Sequence, residues 1–317
     1  MSKIYILHEN PEWIGPLRAA LESVAVSFEF WNVSTGCVDF GATPPAGVFY
    51  SRMSASAHSR GHDDAASFAA ALLAWLESHN RRVINGLRGL DLELSKARQY
   101  GALMAAGVRV PLTRVAVGSE AIAAAADGIT FPVVLKPNRG GKGLGVQKVD
   151  SAQALQHISK SGDYDAGPDG AVLIQQYIES AEGYIVRNEY VGGRLLYALR
   201  VDTSTGFELC PADACVIDET GRPINSAVRE RFEILPDFRP PDDDAYLQVL
   251  AKYNIDIAGI ELIFDRDGTA YTYDINVNTN FNSDAESRAG LDKSRGGGMF
   301  AIAQYLSHEL QRLPNED

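Results

Sequence analysis

The segment GIELIFDRDGTAYTYDINVN, residues 259–278, limits what this chain can fold into more than any other. Two apolar, β-prone runs flank Asp267-Gly268, the strongest short signal for a two-residue hairpin loop, and such a loop pairs Arg266 with Thr269. Counting back, Phe264 meets Tyr271, Leu262 meets Tyr273 and Ile260 meets Ile275, which gives one face a continuous apolar layer. The other face then sets Glu261 directly across from Asp274, with Asn276 and Asn278 following at alternate positions. Carboxylates facing each other across a ladder have Cβ atoms ~5 Å apart and repel. A cation between them removes that cost. Oxygen donors without His or Cys suit a hard cation such as magnesium, with manganese as the alternative, better than zinc. The competing reading is an ordinary solvated polar face.

A second segment, KPNRGGKGLGV at 136–146, follows the apolar strand FPVVL and precedes VQKV. Its four glycines, Gly140, Gly141, Gly143 and Gly145, let the backbone approach a bulky anion and present several N–H groups to it. Lys136 at the strand end and Lys142 inside the loop add positive charge. The loop is neither GxxxxGK[ST] nor GxGxxG opening a helix. Its GxxG also occurs in RNA-binding loops, and a flexible hairpin turn remains the plain alternative.

Around these segments the pattern changes along the chain. Up to about residue 90, strand-like runs (Ile4–Leu7, Phe28–Val33, Gly47–Tyr50, Arg82–Ile84) alternate with helical ones (Pro11–Val24, Asp63–Ser78), which predicts an α/β domain with a parallel sheet. The loop after Tyr50 carries Arg52, His58, Arg60 and His62 beyond a strand's carboxyl end, where such sheets bind ligands; Arg52 is a candidate for a substrate carboxylate. Residues 86–106 read as one long helical stretch ending before Gly107 and Pro111. Beyond Gly170, hairpins dominate, and residues 299–313 form a closing helix. The expected division is 1–92, 93–178 and 179–317.

The hairpin turning at Gly192-Gly193 places Val186, Asn188 and Tyr190 on one face with Leu195, Tyr197 and Leu199. Arg187, Glu189 and Arg200 gather on the other, with Arg200 opposite Ile185. Guanidinium groups there suit phosphate or carboxylate oxygens, and an Arg–Glu surface pair is the plain alternative for Arg187.

Composition excludes several classes. Net charge of −12, from 29 Lys+Arg and 41 Asp+Glu, speaks against a nucleic-acid partner. Three cysteines, Cys37, Cys210 and Cys215, make neither a disulfide framework nor a zinc site. No apolar run of ~20 residues spans a membrane, and the first residues do not read as a secretory signal. A cytoplasmic protein is expected.

Taken in order, these segments resemble the ATP-grasp superfamily, most closely its RimK-like glutamate-ligase branch, over roughly residues 90–280. LSKARQYGALMAAGVRVP is similar to the family's lysine-bearing helix, which places Lys96 near ATP phosphates. KPNRGGKGLGV resembles the strand lysine and glycine loop that clamp ATP. VLIQQYI resembles the hinge whose backbone, at Gln175, Gln176, Tyr177 and Ile178, reads adenine. GIELIF with YDINVN resembles the strand pair whose Glu261, Asp274 and Asn276 hold magnesium. The resemblance implies a pre-ATP-grasp α/β domain followed by an α+β ATP-grasp fold of two subdomains. It assigns Lys136 and Arg200 to catalysis, with Arg200 near the transferred phosphate or acyl group, and leaves Arg187 and Asn278 for substrate. Where the family has a hinge acid and a ribose-binding aspartate, this chain has Gln176 and Ile185, so Glu182 or Glu179 is expected at the ribose.

The implied reaction joins a small carboxylate or amino acid to an amine through an acylphosphate, releasing ADP and phosphate. The alternatives are an ATP-grasp small-molecule kinase and a non-catalytic nucleotide-binding module. Small-molecule acid and amine substrates are expected, with a homo-oligomer (dimer or tetramer), as in related enzymes. The segment VDTSTGFELCPADAC and the tail NTNFNSDAE depart from the glutamate-ligase pattern, so glutamate does not follow as the substrate.

Overall fold

The computed structural model describes residues 2–141, 143–203, 231–291 and 296–314. Lys142, Cys210 and Cys215 lie outside them. The chain opens as the alternation of runs requires. Strands β1 (Lys3–His8), β2 (Phe28–Asn32), β3 (Gly47–Arg52) and β4 (Arg82–Ile84) form a parallel sheet in the order β2-β1-β3-β4. Helices α1 (Gly15–Ser23) and α2 (Ala65–Ser78) cover it. β3 is buried along its whole length, as a strand covered on both faces must be.

The long helical stretch is two helices, α3 (Leu87–Glu93) and α4 (Lys96–Ala105). Ser95 separates them: its backbone is extended and its hydroxyl accepts the Arg98 amide at 3.3 Å, the usual way serine caps a helix start. This places Lys96 at the first position of α4.

A second sheet, β5-β8-β6-β7, joins β5 (Thr113–Val117), β6 (Val133–Pro137), β7 (Gln147–Val149) and β8 (Ala171–Gln176) in antiparallel pairs. Helices α5 (Ser119–Ala125) and α6 (Ala152–Ser161) cover one face, and together they enclose a separate apolar core around Ile122, Leu135, Leu155 and Ile174. The third sheet, β11-β10-β9-β12-β13, contains β9 (Tyr184–Val191), β10 (Arg194–Asp202), β11 (Phe232–Leu235), β12 (Ile257–Phe264) and β13 (Ala270–Asn276). Helix Gly298–Gln311 returns to the first sheet, where Ile302 and Leu306 share a core with Ile6, Leu17 and Leu21.

Both informative hairpins contain a β-bulge that turn chemistry did not predict. In β12–β13 the loop is longer than two residues: Asp265 Oδ1 accepts the amides of Asp267 and Thr269 at 2.9 and 2.8 Å. Phe264 therefore pairs with Ala270, and Leu262 with Thr272. A bulge between Glu261 and Leu262 restores the count, so Ile260 still faces Ile275 and Glu261 still faces Asp274. In β9–β10 the irregularity falls between Leu195 and Tyr197, and nothing compensates for it. Arg200 pairs with Val186 rather than Ile185, and Leu199 takes the place opposite Arg187. A one-residue slip reverses every side chain beyond it.

Candidate functional site

A cavity of about 550 Å³ lies between the second and third sheets, closed at one side by α4. Lys96, Lys136, Gly140, Gly141, Gly143, Gln175, Gln176, Tyr177, Ile178, Arg187, Glu261, Asp274, Asn276 and Asn278 all line it. Five segments, from Lys96 to Asn278, thus meet around one space.

The facing carboxylates are already engaged by cations of the chain itself. Glu261 Oε1 accepts from Arg187 Nη1 at 2.6 Å and from Asn276 Nδ2 at 3.3 Å. Asp274 Oδ1 accepts from Lys96 Nζ at 2.5 Å. Burial works against the Lys96 charge, but Asp274 outweighs it and the lysine pKa is raised. Among the described residues no cluster of three His, Cys, Asp or Glu side chains could hold a metal. A divalent ion here would use two carboxylates and the Asn276 amide, which needs only a flip to turn its oxygen toward Glu261. Such an all-oxygen set fits magnesium.

Arg187 is not a surface pair. It is buried, and besides Glu261 it donates to Glu189 Oε1 at 2.6 Å and Thr279 Oγ1 at 2.7 Å. Thr279 Oγ1 donates onward to Glu189 Oε2 at 2.7 Å. Burial opposes the Arg187 charge, yet the two glutamates hold its pKa above the ordinary arginine value. A buried cation between a buried glutamate and a partly buried one persists only when its hydrogen bonds are nearly complete.

Lys136 sits deeper in the cavity wall, 5% exposed. Its ammonium donates to the Tyr100 hydroxyl at 2.6 Å and lies over the rings of Tyr100 and Tyr273, 5.2 and 5.8 Å from their centroids. Burial, reinforced by Lys96 nearby, lowers its pKa to about 7.

Other expected site residues lie elsewhere. Arg200 is on the sheet face away from Arg187, over the Tyr184 ring at 4.4 Å and 3.5 Å from Glu233, so the structure does not bring it to the cavity. Glu182 is exposed beside Tyr184, Glu179 pairs with Arg266 at 2.6 Å, and neither lines the cavity. Gly145 does not line the cavity; a Cβ there would meet Asp165 at 2.9 Å, and φ is +72°. Arg52 is buried and binds protein oxygens: Asn278 Oδ1 at 3.1 Å, the Thr279 carbonyl at 3.1 Å and Asn280 Oδ1 at 2.7 Å. It braces Asn278 and Asn280, which line the cavity, instead of offering a free guanidinium. Arg60 and His62 both reach Glu9, at 2.5 and 3.0 Å, and His58 Nδ1 lies 3.0 Å from the Ala55 carbonyl.

Three side chains near the cavity carry no local signal. Glu93 Oε1 accepts the Ala55 amide at 3.0 Å and Oε2 the Val277 amide at 2.7 Å, and burial raises its pKa. It joins the loop after β3 to the segment after β13. Tyr273, expected in the apolar layer, is instead a cavity-lining residue because Thr272 takes the place opposite Leu262. Tyr100 binds three partners from distant strands. Trp13, Ser54, Ser56 and Asn280 complete the wall toward the first sheet.

With this geometry in hand, the similarities to known proteins become specific. The model of the RimK-like ATP-grasp domain family matches residues 94–207. D-alanine–D-alanine ligase of Hydrogenovibrio crunogenus is 30% identical over 98 residues, a stretch covering 31% of this chain and 30% of that enzyme. The chain thus spans under a third of the length of the curated relatives it matches. Similarity of fold extends further. The crystal structure of a RimK domain ATP-grasp protein from Sphaerobacter thermophilus superposes with a TM-score of 0.63 at 22% identity, covering 96% of this chain and 99% of that one. D-cycloserine synthetase DcsG gives 0.62 at 18% identity, covering 98% and 100%.

Proposed function

We propose that the protein is an ATP-dependent carboxylate–amine ligase working through an acylphosphate, since residues 94–207 match the RimK-like ATP-grasp domain family and the described residues adopt the ATP-grasp fold. One observation carries this reading: Lys96, Lys136, the Gly140–Gly141 backbone, Glu261 and Asp274 all line a single cavity that also contains residues 175–178. Two lysines and two facing carboxylates are what a metal-bound polyphosphate needs, and a simple binding module does not require both. D-alanine–D-alanine ligase and D-cycloserine synthetase are named for small molecules, whereas the ATP-grasp ligase PsnB and the macrocyclase MdnC, of the same fold, are bound to precursor peptides; small carboxylate and amine substrates are assigned here on the first pair.

The backbone at 175–178 would receive the adenine, and Lys136 and Lys96 would hold the phosphates beneath the glycine loop. Bound magnesium would neutralise charge on the phosphate oxygens from Glu261, Asp274 and Asn276. A substrate carboxylate oxygen attacks the γ-phosphorus, the bond to the β-phosphate oxygen breaks, and ADP leaves. An amine nitrogen then attacks the acyl carbon, the carbon–oxygen bond to phosphate breaks, and one proton is lost from nitrogen. The protein's own task is positioning and charge neutralisation, since phosphoryl transfer asks for little covalent work. The wall formed by Trp13, Ser54, Ser56, Asn278 and Asn280 receives the acid and amine. The division 1–92, 93–178 and 179–317 assigns substrate selection to the first unit and nucleotide binding to the other two.

The experiment is an ADP-release screen of amino acids and small carboxylates with and without candidate amines, followed by product mass. Amine-dependent release of ADP and phosphate supports the ligase. Phosphorylated product without an amine identifies a kinase, and nucleotide binding with no turnover identifies a binder.

A further inference from the structure

Tyr100 follows Lys96 by one helical turn on α4, so both side chains leave the same face of the helix. Its ring is 3% exposed, and its hydroxyl is the meeting point of three strands. It accepts from Lys136 Nζ on β6 at 2.6 Å and from Gln175 Nε2 on β8 at 2.9 Å, and it donates to the Tyr273 carbonyl on β13 at 2.8 Å. A phenol has one proton and two lone pairs, so this hydroxyl is fully used. Among the described residues, Tyr100 is the one hydrogen-bond partner of the Lys136 ammonium. The remaining N–H groups of that ammonium are free for a ligand in the cavity, which Lys136 lines.

We infer that Tyr100 is a positioning residue: its hydroxyl fixes the Lys136 ammonium for nucleotide phosphate and ties the glycine-loop sheet to the carboxylate hairpin. The inference rests on the nucleotide-binding part of the reading above. Two features separate this from ordinary core packing. The hydroxyl's partners come from both sheets that wall the cavity, and one of them is a buried cation with no other acceptor among the described residues. A lysine side chain has four rotatable bonds, so a single anchored contact decides where its charge stands. Loss of the hydroxyl also leaves the Gln175 amide short of one of its acceptors.

The test is a double-mutant cycle on Mg-ATP affinity, measured by calorimetry for the wild type, Tyr100→Phe, Lys136→Met and the double variant. Tyr100→Phe is expected to weaken ATP about tenfold, and to do so only while Lys136 is present. The double variant should then bind within about twofold of Lys136→Met alone. Full additivity, or wild-type affinity in Tyr100→Phe, overturns the inference. Should Tyr100→Phe not fold, Tyr100→Met fills the same space without a hydroxyl and takes its place. A wild-type protein that fails to bind Mg-ATP would instead sink the nucleotide reading itself, so the two failures are distinguishable.

Discussion

Lys96 Nζ stands 2.5 Å from Asp274 Oδ1, with both side chains mostly buried. The lysine therefore occupies an oxygen that a divalent ion would also use. Removing it as Lys96→Met should raise the affinity for manganese without nucleotide about tenfold, because a competing charge is gone. The same change should weaken ATP. Manganese titration followed by magnetic resonance checks the first effect and calorimetry the second.

Asp274→Asn keeps the shape of the site and its contact with Lys96 but removes one charge. ADP formation should fall at least ~100-fold, the scale of losing one electrostatic stabiliser of a transition state. Thermal melting should stay near that of the wild type. Wild-type ADP release would take Asp274 out of the phosphate site.

Arg187→Met leaves buried Glu189 and partly buried Glu261 without their shared cation. Breaking such a network from one side costs about 3–5 kcal/mol, which urea unfolding would register. Arg187→Lys should recover little, since an ammonium cannot reproduce the fork that meets Glu189, Glu261 and Thr279 together.

Lys136 titrates at about 7 in the folded protein against an ordinary value of 10.5. Between those values the unfolded chain binds the extra proton, so this lysine disfavours folding at neutral pH and below, and stability rises as pH climbs through the window. Phosphate beside Lys136 restores its charge. ATP binding at about pH 8 should therefore take up close to one proton, and affinity should weaken as pH rises above 7. Calorimetry in buffers of different ionisation enthalpy measures the uptake, and Lys136→Met should abolish it.

Arg52→Ala removes three hydrogen bonds from the segment 278–280. Amide exchange across that segment should speed up by about tenfold or more, since local opening follows lost contacts. The KM for the acid or amine should rise more than the KM for ATP. Unchanged exchange would show that Glu93 and Arg187 hold the segment by themselves.

Much of the site is legible in the sequence because its chemistry is local. An Asp-Gly turn between alternating strands is enough to set Glu261 against Asp274, and a glycine cluster after an apolar strand marks the loop. Even so, the carboxylate pairing held because a longer turn and a bulge offset each other. In β9–β10 a single bulge had no such offset, and it carried Arg200 to the far face. Bulges leave little trace in residue pattern, because side-chain alternation reads the same on either side of the extra residue. The contacts of Tyr100, Glu93 and Arg52 are obscure in the sequence for another reason. Their partners lie at least 36 positions away (Tyr100 to Lys136, Ala55 to Glu93, Arg52 to Asn278), and no periodicity reports such distances.

The packing of Ile302 and Leu306 beside Ile6, Leu17 and Leu21 bears on how this chain is made and dissected. During synthesis the opening sheet waits for one of its walls until more than two hundred further residues have left the ribosome. A fragment cut at residue 92 would carry an oily, uncovered flank and should clump in solution. Supplying the 298–311 segment as a separate peptide should restore its solubility.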